Sequence, residues 1–489
     1  MRRTVTTLLF LLGFATALVG CDQVGLDEAE PSQSVSSGQV FEDLTGFEAT
    51  LADAYDGLQD VGRYGQHFML YPDAMADNAG FIQGANRYND VTGNLPGAHL
   101  TTYGAPYDDI NLTNNIIEKI QGFQNIEAPD PQVVRDRIRG QAHFLRGLAY
   151  FDLVRTHAYE PGQEVNGFDL GVILRTQPTE TPDDADFRPR STNAEVYTQI
   201  VSDLETATTL LAGKDLSKFR ANEAAAYGLL ARVQLYQGNY AEAETAATNA
   251  IESAGSIGAT MMSPGDFPGA WFSETLPGTL FELKMTQGQD GAATNTNESL
   301  ASLSYAERAA SAPASEGYRT FNFQVVPTAD LVGTYQIGDA RRSIIDTLSS
   351  GEIILQKYSQ TLGSNTDRIP ILRLAEMYLI RAEARLELGT PDTDGAQSDL
   401  DEVRTNRGLP GIGNVSGTAL LDSIYVERRR ELAYEGHRFF DLKRRGLDIP
   451  KPQSNVSRTV LEYDNFRVLA PFPNGQVTSN PELVQNPGY

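Results

Sequence analysis

Residues 222–253 carry the pattern that most restricts what this chain can fold into. Tyr227, Leu230 and Ala231 stand three and four positions apart, the spacing of one face of an α-helix. Gly238 interrupts this spacing, and a second segment of small residues follows, at Ala243, Ala247 and Ala250. Small side chains let two helices approach closely, and a glycine lets the chain reverse between them. The stretch therefore predicts an antiparallel pair of helices.

The same offsets are those of a tetratricopeptide repeat, and they recur along the chain. Further candidate pairs are 372–407, 133–155 with 193–211, and 47–58 with 109–123. We therefore predict a mostly α fold, a tetratricopeptide-like scaffold of about four helix pairs with large irregular loops and a few short strands. The alternative, for 222–253 taken alone, is an unrelated α-helical protein with alanine-rich amphipathic helices.

Two stretches, 59–108 and 255–340, lack helical periodicity and are rich in Gly, Asn and Tyr or in Gly, Pro, Ser and Thr. Within the second, Thr279–Lys284 predicts a strand. Large loops on a helical scaffold commonly carry binding residues. We expect the two stretches to converge on one face, because a binding site is most simply built where such loops meet.

The N-terminus predicts an export signal with a lipid attachment site. Arg2 and Arg3 precede an apolar run over 8–19, which is too short to span a membrane. The run ends in the lipobox sequence Leu-Val-Gly-Cys, whose Cys21 is the only cysteine of the chain. We predict a signal peptide over 1–20, lipidation of Cys21 and a polar tether over 21–40. An ordinary signal peptide with an incidental cysteine is the alternative.

Composition and motifs argue against several classes of function. The formal net charge of −25 disfavours nucleic-acid binding, and a single cysteine excludes a disulfide framework. The five histidines lack metal-ligand spacing, and neither a GxSxG elbow nor a phosphate-binding loop is present. We predict no enzyme activity, no catalytic residue, no metal and no cofactor. With 64 acidic residues, a surface hydrolase is the competing hypothesis.

A charged run over 427–444 predicts ion pairs. Glu427, Glu431 and Glu435 recur every four residues, with Arg428 and Arg430 three or four positions from members of that row. This spacing indicates pairing within one helix, and we expect Gly436 to end that helix. The structural ion network is favoured over an anion-binding site.

Several segments together resemble the SusD/RagB family of outer-membrane nutrient-binding lipoproteins. Beside Cys21, the segments that carry the resemblance are Phe144–Val154, Val325–Leu331, Gly338–Arg342, Arg373–Ala384, Glu427–Arg444 and Asn480–Tyr489. They occur in the family's order over nearly the whole mature chain. The resemblance divides the chain into a SusD-like N-terminal helical region over 41–254 and a RagB/SusD C-terminal region over 255–489.

The resemblance implies a non-enzymatic protein that captures a glycan and delivers it to a SusC-like TonB-dependent β-barrel transporter. It also implies anchoring in the outer-membrane lipid through acylated Cys21, with the protein facing the cell surface. Asp22, which follows the cysteine, favours inner-membrane retention in some Gram-negative bacteria. A peptide-binding member of the family and a tetratricopeptide scaffold for protein–protein assembly are the alternatives.

Glycans in this family bind through aromatic rings supplied by loops, and polar side chains bond the sugar hydroxyls. The candidate binding residues by this resemblance are Tyr71, Asp77, Asn86, Arg87, Tyr88, Tyr103, Trp271, Tyr305 and Tyr318. Packing of the same rings within the loops is the alternative. If they bind a ligand, we expect some of Tyr71, Tyr88, Tyr103, Trp271 and Tyr318 to be exposed on the face where the loops meet.

Overall fold

The computed structural model describes most of the chain after residue 36. The described ranges are 37–81, 88–100, 102–180, 186–286, 299–300, 306–308, 318–320, 325–348, 351–358, 366–451 and 459–489. Cys21, the signal peptide and the tether as far as residue 36 lie outside them. Residues 37–40, the end of the predicted tether, form one helical turn.

Helices make up most of the described chain. In the first half they are α1 (Ser37–Val40), α2 (Leu44–Asp56), α3 (His67–Ala74), α4 (Asn89–Thr92), α5 (Gly104–Ile120), α6 (Pro131–His157), α7 (Asn193–Leu211), α8 (Glu223–Tyr236) and α9 (Tyr240–Ser253). The second half adds α10 (Phe267–Ala270), α11 (Ala329–Thr334), α12 (Leu374–Glu387), α13 (Thr393–Thr405), α14 (Gly417–Glu431), α15 (Arg438–Lys443) and α16 (Asn474–Ser479). The prediction of a mostly α fold is confirmed.

The four predicted helix pairs are all present: α2 with α5, α6 with α7, α8 with α9, and α12 with α13. Gly238 lies between α8 and α9 with φ of 71°, which permits the reversal of the chain. In α6, a Cβ at Gly140 would come within 2.8 Å of the side chain of Leu211 in α7. The glycine therefore sets how closely this pair packs.

Side-chain caps explain where several of these helices begin. Asp130 accepts hydrogen bonds from the first backbone amides of α6, and Asn222 accepts one from Ala225 at the start of α8. Thr192 and Glu195 form a reciprocal capping box at α7. Such caps satisfy amides that have no partner inside the helix.

The strands form four two-stranded antiparallel sheets within the described ranges. They are β1 (Ala79–Phe81) with β5 (Val325–Pro327), β2 (Thr279–Lys284) with β8 (Arg368–Arg373), β3 (Ala306–Arg308) with β4 (Tyr318–Thr320), and β6 (Ile345–Thr347) with β7 (Ile353–Leu355). The predicted strand over 279–284 is confirmed as β2.

One hydrophobic core runs from Phe47 in α2 to Leu483 near the C-terminus, and a smaller core lies between α12, α13 and α14. Helix α9 of the N-terminal region packs on α12 of the C-terminal region, where Arg385 pairs with Glu244 at 3.0 Å. The division at residue 254 stays a prediction, and the core is continuous across it. Among the described helices, none has the length and apolar character that crossing a membrane requires.

Candidate functional site

The two irregular stretches meet at the β1–β5 sheet. Ala79 pairs with Pro327, and Phe81 pairs with Val325. Just outside the sheet, Thr328 donates to the backbone oxygens of Asn78 and Asp77, at 2.9 and 2.7 Å. The two stretches 59–108 and 255–340 are therefore in contact, as the expected convergence requires.

A group of charged and polar side chains lies beside this sheet, and we call it the loop junction: Asp77, Asn78, Asp330, Arg429 and Arg438. Arg438 donates two hydrogen bonds to the carboxylate of Asp77, of 2.6 and 2.9 Å. Arg429 bridges the carboxylates of Asp77 and Asp330, at 3.0 and 2.8 Å. The carboxylate of Asp77 is thereby oriented by two guanidinium groups.

Exposure differs sharply within the loop junction. The Asp77 side chain is 10% exposed, whereas that of Asp330 is 68% exposed. Asp330 lies in the first turn of α11. There the Thr328 side chain accepts a hydrogen bond from the backbone amide of Leu331. The carboxylate of Asp330 can therefore accept hydrogen bonds from a ligand while Arg429 fixes its position.

The backbone beneath Asp77 is fixed by Asp73 of α3. The Asp73 carboxylate accepts hydrogen bonds from the side-chain amide of Asn78 at 2.7 Å and from the backbone amide of Tyr434 at 3.0 Å. Burial raises the pKa of Asp73 to about 6, against the opposing effect of these two bonds. Asp73 thus ties the segment before β1 to the turn that follows α14.

A buried ion network lies behind this turn, and its members include Glu427, Glu431, Glu435, Arg341, Arg373, Arg407 and Lys357. Glu431 accepts from Arg373 and Arg407 at 2.7 Å and from Arg341 at 3.1 Å. Although burial opposes ionisation, the charges of Arg407 and Arg373 hold the pKa of Glu431 well below its usual value. The carboxylate is therefore charged inside the protein.

This network confirms the structural interpretation of the 427–444 run but corrects its details. Within the helix, Arg430 pairs with Glu427 at 3.1 Å. The other arginines that bind these glutamates lie outside α14. They are Arg341, Arg373 and Arg407, which the fold brings to the helix from other segments. Helix α14 also ends at Glu431, and Gly436, with φ of 79°, belongs to the turn that follows. The prediction that Gly436 ends the helix is wrong.

The predicted rings Tyr71 and Tyr88 lie close to each other and are buried. Their centroids are 5.9 Å apart, and Tyr71 stacks on His67 at 4.2 Å. Tyr71 is 8% exposed and Tyr88 is 4% exposed. These two rings are therefore not among the exposed ones that the sequence leads us to expect, because both are packed in the core.

Tyr103 and Trp271 are also buried, and each lies in a different part of the molecule. Tyr103 packs on Phe472 at 5.2 Å, and Trp271 packs on Phe267 at 6.2 Å. The ammonium of Lys357 lies 4.8 Å from the centre of the Trp271 ring. These two rings are not exposed either, and the structure does not bring them together with Tyr71 and Tyr88. The expectation that some of the five rings are exposed stays a prediction, which now depends on Tyr318.

The remaining candidates are Asn86, Arg87, Tyr305 and Tyr318. The first three lie outside the described residues. Tyr318 is in β4, where the structure describes the backbone alone. Of the nine predicted binding residues, Asp77 is the one that the described structure places at the loop junction.

Asp330, Arg429 and Arg438 belong to the loop junction but are not among the binding residues that the sequence predicts. Arg429 and Arg438 lie within the charged run, where they could not be separated from its structural members. Asp330 carried no separate signal, since it falls in a helical first turn where an acidic residue is ordinary. Their common role depends on contacts between positions that are about 100 residues or more apart.

Buried histidines and acidic side chains are present among the described residues. No group of three or more His, Cys, Asp or Glu among them is placed to hold a metal ion. Burial lowers the pKa of His157 to about 3, and it lowers that of His99 and His437 well below the usual range. These imidazoles are neutral and enclosed at physiological pH.

Two family models match the chain, in the order that the resemblance implies. Residues 26–235 match a SusD-like model described as starch-binding associating with outer membrane, and residues 348–489 match the SusD family. Among curated relatives, SusD-like protein P2 of Formosa agariphila is 25% identical over 100% of both chains. SusD-like protein P38 of the same organism is 26% identical, over 94% of this chain and 95% of its own.

Solved structures agree with this match. A putative sugar binding protein from Bacteroides vulgatus superposes with a TM-score of 0.78 at 27% identity, covering 91% of this chain and 98% of its own. A SusD superfamily protein from Bacteroides thetaiotaomicron gives 0.77 at 26% identity, covering 93% and 100%. On the evidence of its fold and of both models, the chain belongs to the SusD/RagB family.

Proposed function

We propose that this protein is a surface lipoprotein that captures a glycan at the loop junction and delivers it to a TonB-dependent outer-membrane transporter. The observation that carries the proposal is the convergence of the two irregular stretches at the β1–β5 sheet. There a family scaffold presents the exposed carboxylate of Asp330 beside Arg429, which also pairs with Asp77. Carboxylates and guanidinium groups suit the hydroxyl groups of a sugar, as acceptors and donors.

Support for the ligand class comes from the relatives. One structural neighbour is described as a putative sugar binding protein, and one family model is described as starch-binding. The proposed activity is binding and transfer without catalysis. We propose a SusC-like barrel as the partner. Affinity purification of this protein from membranes tests the assignment, which is supported if such a barrel is recovered with it.

Replacing Asp330 by asparagine should weaken glycan binding about tenfold or more, since a hydrogen bond to a charged group is worth ~1.5–3 kcal/mol. Isothermal titration calorimetry with maltohexaose, cellohexaose, laminarihexaose and xylohexaose measures this effect. Asp215→Asn is the control, because Asp215 is an exposed acid in the loop after α7. Equal affinities of D330N and wild type for every hexasaccharide that binds would exclude the loop junction, and binding of peptides alone would favour the peptide-binding alternative.

Anchoring depends on Cys21, which we propose carries the lipid. Cys21→Ala should move the protein from the membrane fraction to the soluble fraction, or leave a precursor that retains residues 1–20, because it removes the thiol that is acylated. Immunoblotting of fractionated cells measures both results. Cys21→Ala protein that is cleaved normally and still partitions into detergent would contradict lipidation. Surface exposure is tested separately, by protease treatment of intact cells.

A further inference from the structure

A cleft of about 410 Å³ opens between α5, the extended chain over 173–179 and 186–187, and the C-terminal segment over 476–483. None of the five residues of the loop junction lines it. Its apolar part is formed by Tyr103, Tyr107, Ile110, Ile173, Phe187 and Leu483. The volume lies within the ~300–1,000 Å³ that is typical of small-ligand pockets.

Polar side chains of α5 hold one wall of this cleft in place. Asn111 and the backbone of Thr179 exchange two hydrogen bonds, of 3.1 and 2.7 Å. Asn114 donates to the carbonyl oxygens of Arg175 and Gln177, both at 3.0 Å. These amides brace the extended chain against the helix. The wall is therefore fixed before any ligand arrives, which reduces the entropy lost on binding.

Phe187 projects at the edge of the cleft and is 63% exposed. Its neighbours hold the backbone on both sides, because Asp186 pairs with Arg175 at 2.7 Å and with Arg188 at 2.5 Å. The carbonyl oxygen of Arg188 also accepts from Asn480, at 3.0 Å. A large ring that remains in water on a braced backbone is suited to stack on a ligand.

The other groups available to a ligand are polar. Asp108 has no hydrogen-bond or ion-pair partner among the described residues, and the exposed amides of Gln177 and Gln476 have none there either. Arg175 and Arg188 neutralise Asp186 and disfavour a cationic ligand. An aromatic face, two amides and one free carboxylate together suit an uncharged ligand that is rich in hydroxyl groups.

We propose that this cleft is a second binding site, which takes the end of a neutral oligosaccharide. Phe187 stacks on the C–H face of a sugar ring, and Asp108 accepts hydrogen bonds from its hydroxyls. The proposal shares the ligand class of the proposed function and does not depend on the loop junction. Two sites on one chain would let a long glycan be held at two points, which raises its overall affinity.

The test compares Phe187→Ala and Asp108→Asn with wild-type protein, by calorimetry with the same four hexasaccharides. We expect each change to weaken one set of binding events about five- to tenfold. Val133→Ala, an exposed apolar position at the start of α6, is the control and should bind as wild type does. Thermal melting of each variant shows whether it is folded.

The outcomes separate this site from the loop junction. Weaker binding in F187A and D108N supports the cleft, and weaker binding in D330N supports the loop junction. If D330N weakens binding while F187A and D108N match wild type, the cleft is overturned and the proposed function stands. If no hexasaccharide binds, the cleft is overturned together with the glycan assignment of the proposed function.

Discussion

Replacing Glu431 by glutamine should lower the free energy of unfolding by about 3–5 kcal/mol, the range found when one partner of a buried ion pair is removed. Glu431 binds Arg341, Arg373 and Arg407, and all four side chains are at most 3% exposed. Glutamine keeps the shape but places an amide donor among three guanidinium donors. Arg407 then loses the one carboxylate that it pairs with among the described residues, and its buried charge cannot be compensated by water. Arg341 and Arg373 keep a second carboxylate each, Glu427 and Glu435.

Urea unfolding measures this effect as a lower midpoint with an unchanged slope. Glu252→Gln is the matched control, because Glu252 is an exposed residue of α9, and its midpoint should stay near that of wild type. A midpoint for E431Q equal to that of wild type would show that the neighbouring Glu427 and Glu435 can carry the network without Glu431.

The stability difference between wild type and E431Q should also depend on pH. The folded pKa of Glu431 is depressed by Arg407 and Arg373 despite burial, so its contribution is present in full above the unfolded pKa of ~4.3. It is lost as the pH falls through the folded value. The stability difference between wild type and E431Q should therefore narrow below about pH 4, and unfolding curves at pH 7 and pH 3 measure it.

The helical scaffold could be predicted because its signals are local. The i, i+3, i+4 spacing of Tyr227, Leu230 and Ala231 indicates one helix, and Gly238 marks the reversal that the left-handed backbone there requires. The sequence could predict that an ion network exists, but not which residues pair in it. Its glutamates are four residues apart in the sequence, but Arg341 and Arg373 reach them from other elements.

The contact between the two irregular stretches could be predicted from the sequence, whereas the residues that meet there could not. Composition marked 59–108 and 255–340 as irregular, and the structure brings them into contact at the β1–β5 sheet. Composition did not reveal the helices α3 and α4 within 59–108, which are short and lack a clear helical periodicity. It could not separate a ring that fills the core, such as Tyr71, from one that remains in water, such as Phe187. That difference depends on whether a distant helix covers the ring, which no local pattern encodes.

Replacing Gly436 by alanine should cost about 2–5 kcal/mol of folding free energy. Gly436 has φ of 79°, where an L-residue is strained by ~1–2 kcal/mol. A Cβ would also lie 2.0 Å from the carbonyl oxygen of Phe68 and 3.4 Å from the Cα of Met69. Since these atoms belong to the backbone of α3, the helix itself has to move, which adds ~1–3 kcal/mol of overpacking.

The variant Gly238→Ala separates the cost of backbone strain from the cost of steric overlap. Gly238 has φ of 71°, and a Cβ there would meet nothing within 4 Å, so it carries the backbone strain without the overlap. The difference between the two urea midpoints measures the overlap. Equal midpoints would show that α3 yields freely and that the turn after α14 does not fix its position.

Displacement of α3 should also reach the loop junction. Asp73 in α3 holds the Tyr434 amide and the Asn78 side chain, and Asp77 follows only three residues after the helix ends. We therefore expect a shift of α3 to displace the Asp77 carboxylate relative to Arg438 and to weaken the glycan binding that we propose there. Binding by G436A should fall while binding by G238A stays at the wild-type level. Because backbone strain is common to both variants, that contrast would connect the packing of one glycine with the geometry of the binding surface.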